Sequence, residues 1–204
     1  MSIALVEHKT ARLGLIGPNA ITQMAASLSD AYGAPLRRDV FEDAGLARHL
    51  LAQPTQMIPE DDVARLHQAA IDRLGEAKAA EVSRAAGRRT GDYLLATRIP
   101  PFAQRALKIM PRPLAARILV AAIARHAWTF SGSGEFSYEF APHLYLRIVA
   151  SPICRGLRTE TPACTYFAAT FERVFAEMLG PSLSVAEVEC AATGAAACVF
   201  EVRW

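Results

Sequence analysis

At Gly132-Ser133-Gly134 the hydrophobic period of this chain changes from about 3.6 to 2. Before that point apolar residues return every three or four positions, the spacing of one helix face; after it they alternate, the spacing of a half-buried strand. Helices come first, and strand-strand-helix-strand-strand follows. The pattern predicts an α+β fold, an antiparallel four-stranded sheet covered by helices. A helical N-terminal region over 1–130 is expected to pack on an α+β region over 131–204, the two making one compact domain.

Starts and stops place the elements. Pro18-Asn19 opens an Ala-rich helix that ends near Tyr32-Gly33, where glycine supplies a left-handed residue. A short helix fits Asp39 to His49. Pro59 followed by Glu60, Asp61 and Asp62 sets acids at the positive end of a helix reaching Leu74-Gly75, with Val63, Leu66, Ala70 and Ile71 as its buried stripe. Glu76 to Arg98 follows, stopped by Ile99-Pro100-Pro101. Gly87 and Gly91 inside it point to a close packing contact or a bend, because each costs a helix interior about 1 kcal/mol relative to Ala. Leu114 to Trp128, entered through Pro113, is the most apolar helix. Strands span Glu135 to Phe140 and His143 to Ala150, joined at Ala141-Pro142, with Leu144, Leu146 and Ile148 on one face. Thr161-Pro162 caps a helix with the stripe Phe167, Phe171, Val174, Phe175 and Met178. Ser184 to Ala191 and Ala197 to Arg203 close the chain as a hairpin about Thr193-Gly194.

Composition narrows the class of function. Of 204 residues 52% are hydrophobic and 21% charged, which supports a packed core and excludes a mainly disordered chain. The aliphatic run Ile118 to Ala124 is far short of the ~20 residues of a membrane span. Met1 to Lys9, with Glu7, His8 and Lys9, lacks the apolar centre of an export signal. The chain is therefore expected in the cytoplasm, where its four cysteines stay reduced. The net charge of +2 hides an asymmetry: Arg84 to Arg125 holds nine arginines and lysines against Asp92 alone. Such a stretch suits a carboxylate-bearing ligand, or a lipid headgroup surface touched peripherally. Nucleic acid is a poorer match, since Ala, Leu and Ile at core spacing interrupt the basic residues and few aromatics offer base stacking.

Cys154, Cys164, Cys190 and Cys198 all fall in the last third. A hairpin turning about Gly194 sets Cys190 opposite Cys198, with β-carbons about 4.5–5.5 Å apart, close enough to share a metal ion. Cys164, at the start of the preceding helix, has a helix N-terminus to favour the thiolate that zinc requires. Glu187 or Glu189 can supply a fourth ligand, but strict alternation puts both on the face away from Cys190, so a bulge is required. Free thiols acting as small core residues are the other reading of the same four positions.

Cys164, Glu187-Val188-Glu189-Cys190, Gly194 and Cys198-Val199-Phe200-Glu201 resemble the signature of the 4-vinyl reductase domain family, found in a bacteriochlorophyll biosynthesis protein and in sensory domains of aromatic-responsive transcription activators. The Ala-rich N-terminal helices, Trp128-Thr129-Phe130-Ser131-Gly132-Ser133-Gly134 and the overall length extend the resemblance over nearly the whole chain, to the bacteriochlorophyll 4-vinyl reductase type. It implies zinc held by Cys164, Glu187, Cys190 and Cys198, with Cys154 outside the set. It also implies a dimer with a fold like small vesicle-tethering subunits of the TRAPP type, and a hydrophobic ligand pocket between sheet and helices.

The family name implies vinyl reduction on a chlorophyll precursor, which needs two electrons and two protons that side chains do not carry. Gly132-Ser133-Gly134 lacks a third glycine and precedes a strand, so it is a turn and not a dinucleotide loop. The cysteines lack ferredoxin-type runs, and zinc is redox-inactive. Whether the chain is an enzyme stays open. The favoured reading is a carrier or assembly factor that presents a magnesium porphyrin or chlorophyllide to pathway enzymes. Its alternatives are a reductase using an external reductant, and a non-catalytic interaction module. A planar macrocycle needs aromatic surface, an axial donor and cations for its carboxylates. Trp128, Phe130 and Tyr145, His126 or His143, and Arg117 with Arg125 are the candidates.

Overall fold

The computed structural model describes residues 14–204, and the Met1 to Lys9 segment lies outside them. A two-residue strand, β1 (Leu15–Ile16), leads into α1 (Asn19–Asp43). Gly33, at φ 84°, breaks α1 into two segments, and Pro35 falls in the first turn of the second, where a missing N–H costs nothing. The helix expected over Asp39 to His49 is instead divided. The second segment of α1 ends at Asp43, Gly45 turns at φ 69°, and α2 (Arg48–Leu51) is a single turn. β2 (Ile58–Pro59) pairs with β1 and delivers the chain to α3 (Glu60–Leu74).

α4 (Glu76–Thr97) runs unbroken through both of its glycines. Gly87 is there for proximity: an added Cβ would lie 3.0 Å from the Tyr166 carbonyl carbon and from Ala169 Cβ, and closer still to the Tyr166 oxygen. This lets α4 pack directly on the later helix α8 (Thr165–Leu179), and Thr170 Oγ1 donates to the Gly87 carbonyl at 3.0 Å. α5 (Pro101–Ile109) and α6 (Arg112–Arg125) each carry proline in the first turn, and α7 (Trp128–Ser131) closes the helical region.

The strands β3 (Glu135–Phe140), β4 (Leu144–Val149), β5 (Ser184–Glu189) and β6 (Cys198–Arg203) form an antiparallel sheet in the order β3-β4-β6-β5. Pairing of Leu144 with Val202, Leu146 with Phe200 and Ile148 with Cys198 stacks the fully buried side chains on one face, which α8 covers. Phe130, Phe136, Phe167, Phe171 and Phe200 meet there with ring centroids 5.4–6.5 Å apart, mostly edge to face. These rings lie between the sheet and α8, where the resemblance implied a hydrophobic ligand pocket. Tyr145, Arg147 and Glu201 occupy the opposite face.

α8 starts at Thr165 rather than at Thr161-Pro162. Thr161 is occupied elsewhere: its N–H and hydroxyl both donate to Glu76, at 3.2 and 2.9 Å, tying the loop to the start of α4. A second tether joins the two halves of the chain at the period switch. Buried Glu60 accepts from the N–H and hydroxyl of Ser133, at 2.8 and 2.7 Å, and pairs with Arg155 at 2.6 Å.

Candidate metal centre

Three separate stretches of backbone converge at one end of the sheet. The β4–α8 loop brings Cys154, the residue before α8 is Cys164, and the β5–β6 hairpin brings Cys190 and Cys198. Cys154 Sγ lies 3.2 Å from Cys164 Sγ and 3.5 Å from those of Cys190 and Cys198, and Cys164 Sγ is 3.4 Å from Cys198 Sγ. All four sulfurs fall within 4.8 Å of one another, and all four residues are buried. Cys154, which the resemblance left outside the zinc set, contacts each of the other three. The signal was the count itself, since four thiols confined to one third of a chain are the number a tetrahedral site takes.

The bulge that the alternation argument required is present. Glu187 faces Phe200, Glu189 faces Val199, and exposed Val188 is the extra residue between them. This shift turns Glu187 and Cys190 to the same face. The Cys164 N–H donates to Glu187 Oε2 at 2.8 Å, while Glu187 Oε1 is buried with no hydrogen-bond partner among the described residues. Burial, reinforced by negative charge at Cys190 and Cys198, pushes Glu187 up to about 10.

Backbone amides complete the shell. Ala163 N–H donates to Cys190 Sγ at 3.3 Å and Ala191 N–H to Cys198 Sγ at 3.4 Å, the contacts that stabilise thiolate sulfur. Hydrogen bonds from Cys154, Cys164 and Cys198 hold the Cys190 pKa down, whereas burial drives Cys164 well up. The helix terminus alone thus does not make Cys164 a thiolate, and a bound cation would supply the missing charge. A zinc ion with Zn–S of ≈ 2.3 Å spaces four sulfurs about 3.8 Å apart, a few tenths of an ångström beyond the four distances given above and within the 4.8 Å that bounds the cluster. The donor set fits one tetrahedral ion.

The family model of the 4-vinyl reductase domain matches residues 144–204, the stretch that holds all four cysteines and Glu187. Over 187 residues the chain is 42% identical to the bacteriochlorophyll synthase 23 kDa chain of Cereibacter sphaeroides, covering 92% of this chain and 89% of that one. The chain belongs to the 4-vinyl reductase domain family. The corresponding 23 kDa chain of Rhodobacter capsulatus is 40% identical over 186 residues, with 91% and 85% covered. Likeness to solved structures gives the architecture of this family member. An H-NOX protein studied for heme distortion superposes with TM-score 0.58 at 14% identity, over 93% of this chain and 95% of that one. An oxygen-binding H-NOX domain related to soluble guanylate cyclases gives 0.53 at 15%, over 92% and 93%. The α+β class is as expected, but the architectural likeness found is to H-NOX, in place of the vesicle-tethering subunits that the resemblance implied. Seven helices precede the sheet among the described residues, and the likeness covers 93% of this chain.

The macrocycle candidates divide into two groups. Arg117 and Arg125 lie exposed on α6, Arg117 with its guanidinium 4.9 Å from the Phe140 ring centroid. His126 ends that helix, exposed, and Trp128 follows at 52% exposure, with half-buried Phe130 beneath in the aromatic cluster. His143 and Tyr145 are elsewhere, both directed to Glu201, at 3.8 and 3.3 Å.

Proposed function

We propose that this chain binds a magnesium porphyrin or chlorophyllide intermediate of bacteriochlorophyll biosynthesis and passes it to the enzymes of that pathway, as a carrier or assembly factor associated with vinyl reduction. The observation that carries the reading is the likeness to bacteriochlorophyll synthase 23 kDa chains over about nine-tenths of the chain. A structural zinc ion belongs to the same reading, held by Cys154, Cys164, Cys190 and Cys198. Four sulfurs leave such an ion no position for substrate, so its task is to join the β4–α8 loop, α8 and the terminal hairpin. Glu187 accepts the Cys164 N–H and orients that ligand.

For the pigment we favour the end of α6. His126 Nδ1 lies 2.9 Å from the Ala122 carbonyl, so Nδ1 carries the proton and Nε2 keeps its lone pair for a metal. Trp128 beside it offers a ring face, and Arg117 and Arg125 offer cations to propionates. His143 already faces a carboxylate and is the weaker donor. Titration with a magnesium porphyrin should shift the Soret band, and His126→Ala should abolish the shift while His143→Ala keeps it. No shift at micromolar protein rejects pigment binding. Monovinyl product from a divinyl substrate and NADPH with the purified chain would instead establish a reductase.

A further inference from the structure

The outward faces of α5 and α6 combine two properties that rarely coincide on a free surface. Both helices rest on α8 through buried residues, Leu107 in α5 and Ala115, Ala116, Leu119 and Val120 in α6. Their opposite sides therefore face out, and there large apolar side chains stand in solvent: Phe102 at 74% exposure, Ile109 at 86%, Leu114 at 49% and Ile118 at 43%. Phe102 and Ile109 are seven residues apart and Leu114 and Ile118 four, so each pair forms a stripe on its helix. The second property is charge. No aspartate or glutamate occurs between Asp92 and Glu135, while Arg105, Arg112 and Arg117 alternate with those apolar residues. Lys108 pairs with Glu177 at 2.5 Å, Arg112 reaches over Gly180 and Arg117 stands over the Phe140 ring, and the three arginines remain exposed to solvent.

We propose that this face seats the protein on an anionic lipid bilayer. Phe102, Ile109, Leu114 and Ile118 would enter the headgroup and acyl boundary, and the arginines would meet phosphates. A second copy of the chain fits this surface poorly, because a two-fold contact would set arginine against arginine with no acid in the segment to offset them. The inference does not depend on pigment binding.

The test is co-sedimentation of the full chain with phosphatidylcholine vesicles, with and without phosphatidylglycerol. The expected result is binding to the phosphatidylglycerol vesicles that weakens with salt and is much reduced on phosphatidylcholine alone. Phe102→Ser with Ile109→Ser should lower the bound-to-free ratio at least tenfold with an unchanged thermal transition. Absence of binding to the anionic vesicles, or equal binding by the double variant, overturns the proposal. So does a wild-type chain that ignores vesicles but sediments as a dimer which the same substitutions dissociate.

Discussion

Cys154→Ala tests which four groups would hold the proposed zinc ion. Its sulfur contacts all three other cysteines at 3.2–3.5 Å, so its removal takes one vertex from a tetrahedron that needs little adjustment to close on zinc. Structural zinc contributes about 10–16 kcal/mol to small metal-dependent domains. Shared over four ligands this is roughly 3–4 kcal/mol each, or two to three orders of magnitude in dissociation constant. Were Cys154 only a core thiol, truncation would cost about 1 kcal/mol of stability and leave metal affinity alone. Elemental analysis should find one zinc per wild-type chain, and competition with a chromogenic chelator should strip Cys154→Ala at about a hundredfold lower chelator concentration. Glu187→Gln, which keeps an oxygen for the Cys164 N–H, should hold its zinc nearly as well as wild type. If Cys154→Ala resists the chelator and Glu187→Gln releases the metal, the ligand is the carboxylate and the four-sulfur assignment is wrong.

Two further outcomes follow from the helical region. Gly87→Ala places a methyl against the Tyr166 carbonyl, so α4 and α8 must separate. Overpacking of this kind costs about 1–3 kcal/mol, which at roughly 2–4 °C per kcal/mol should lower Tm by several degrees in a thermal melt; an unchanged Tm would show that the contact is slack. His67, buried beside the Tyr166 ring with Nε2 unpartnered among the described residues, is held by burial at a pKa of about 4 against 6.5. A depressed folded pKa means that the unfolded chain binds the proton more tightly. The contribution of His67 is therefore complete above pH 6.5 and falls as pH drops toward 4, by about 1.4 kcal/mol per unit. Denaturant melts should show His67→Leu losing less stability than wild type across that window, and parallel losses would contradict the burial argument.

Local chemistry made much of this protein legible before its structure. Alternation in Leu144, Leu146 and Ile148 named the buried face of β4, and the Phe167 to Met178 stripe named the face of α8 that covers it, because period and apolarity are written along the chain. Failures occurred where a residue had distant business. Thr161 reads as a helix cap but serves Glu76, eighty-five positions away. Glu60 reads as a helix-dipole acid but holds Ser133 and Arg155. Cys154 has no local pattern, and only the path of its loop brings it to the cluster.

The sequence by itself determined the four strands of the sheet, the long helices, the α+β class and a supply of four sulfurs in one third of the chain, since periodicity, proline and glycine punctuation and composition act over a few neighbours. Tertiary structure alone decided which sulfurs meet, which face Glu187 turns to, and that five phenylalanine rings meet under the sheet. Those outcomes depend on a one-residue bulge and on loop closure between distant positions, and neither has a local signature.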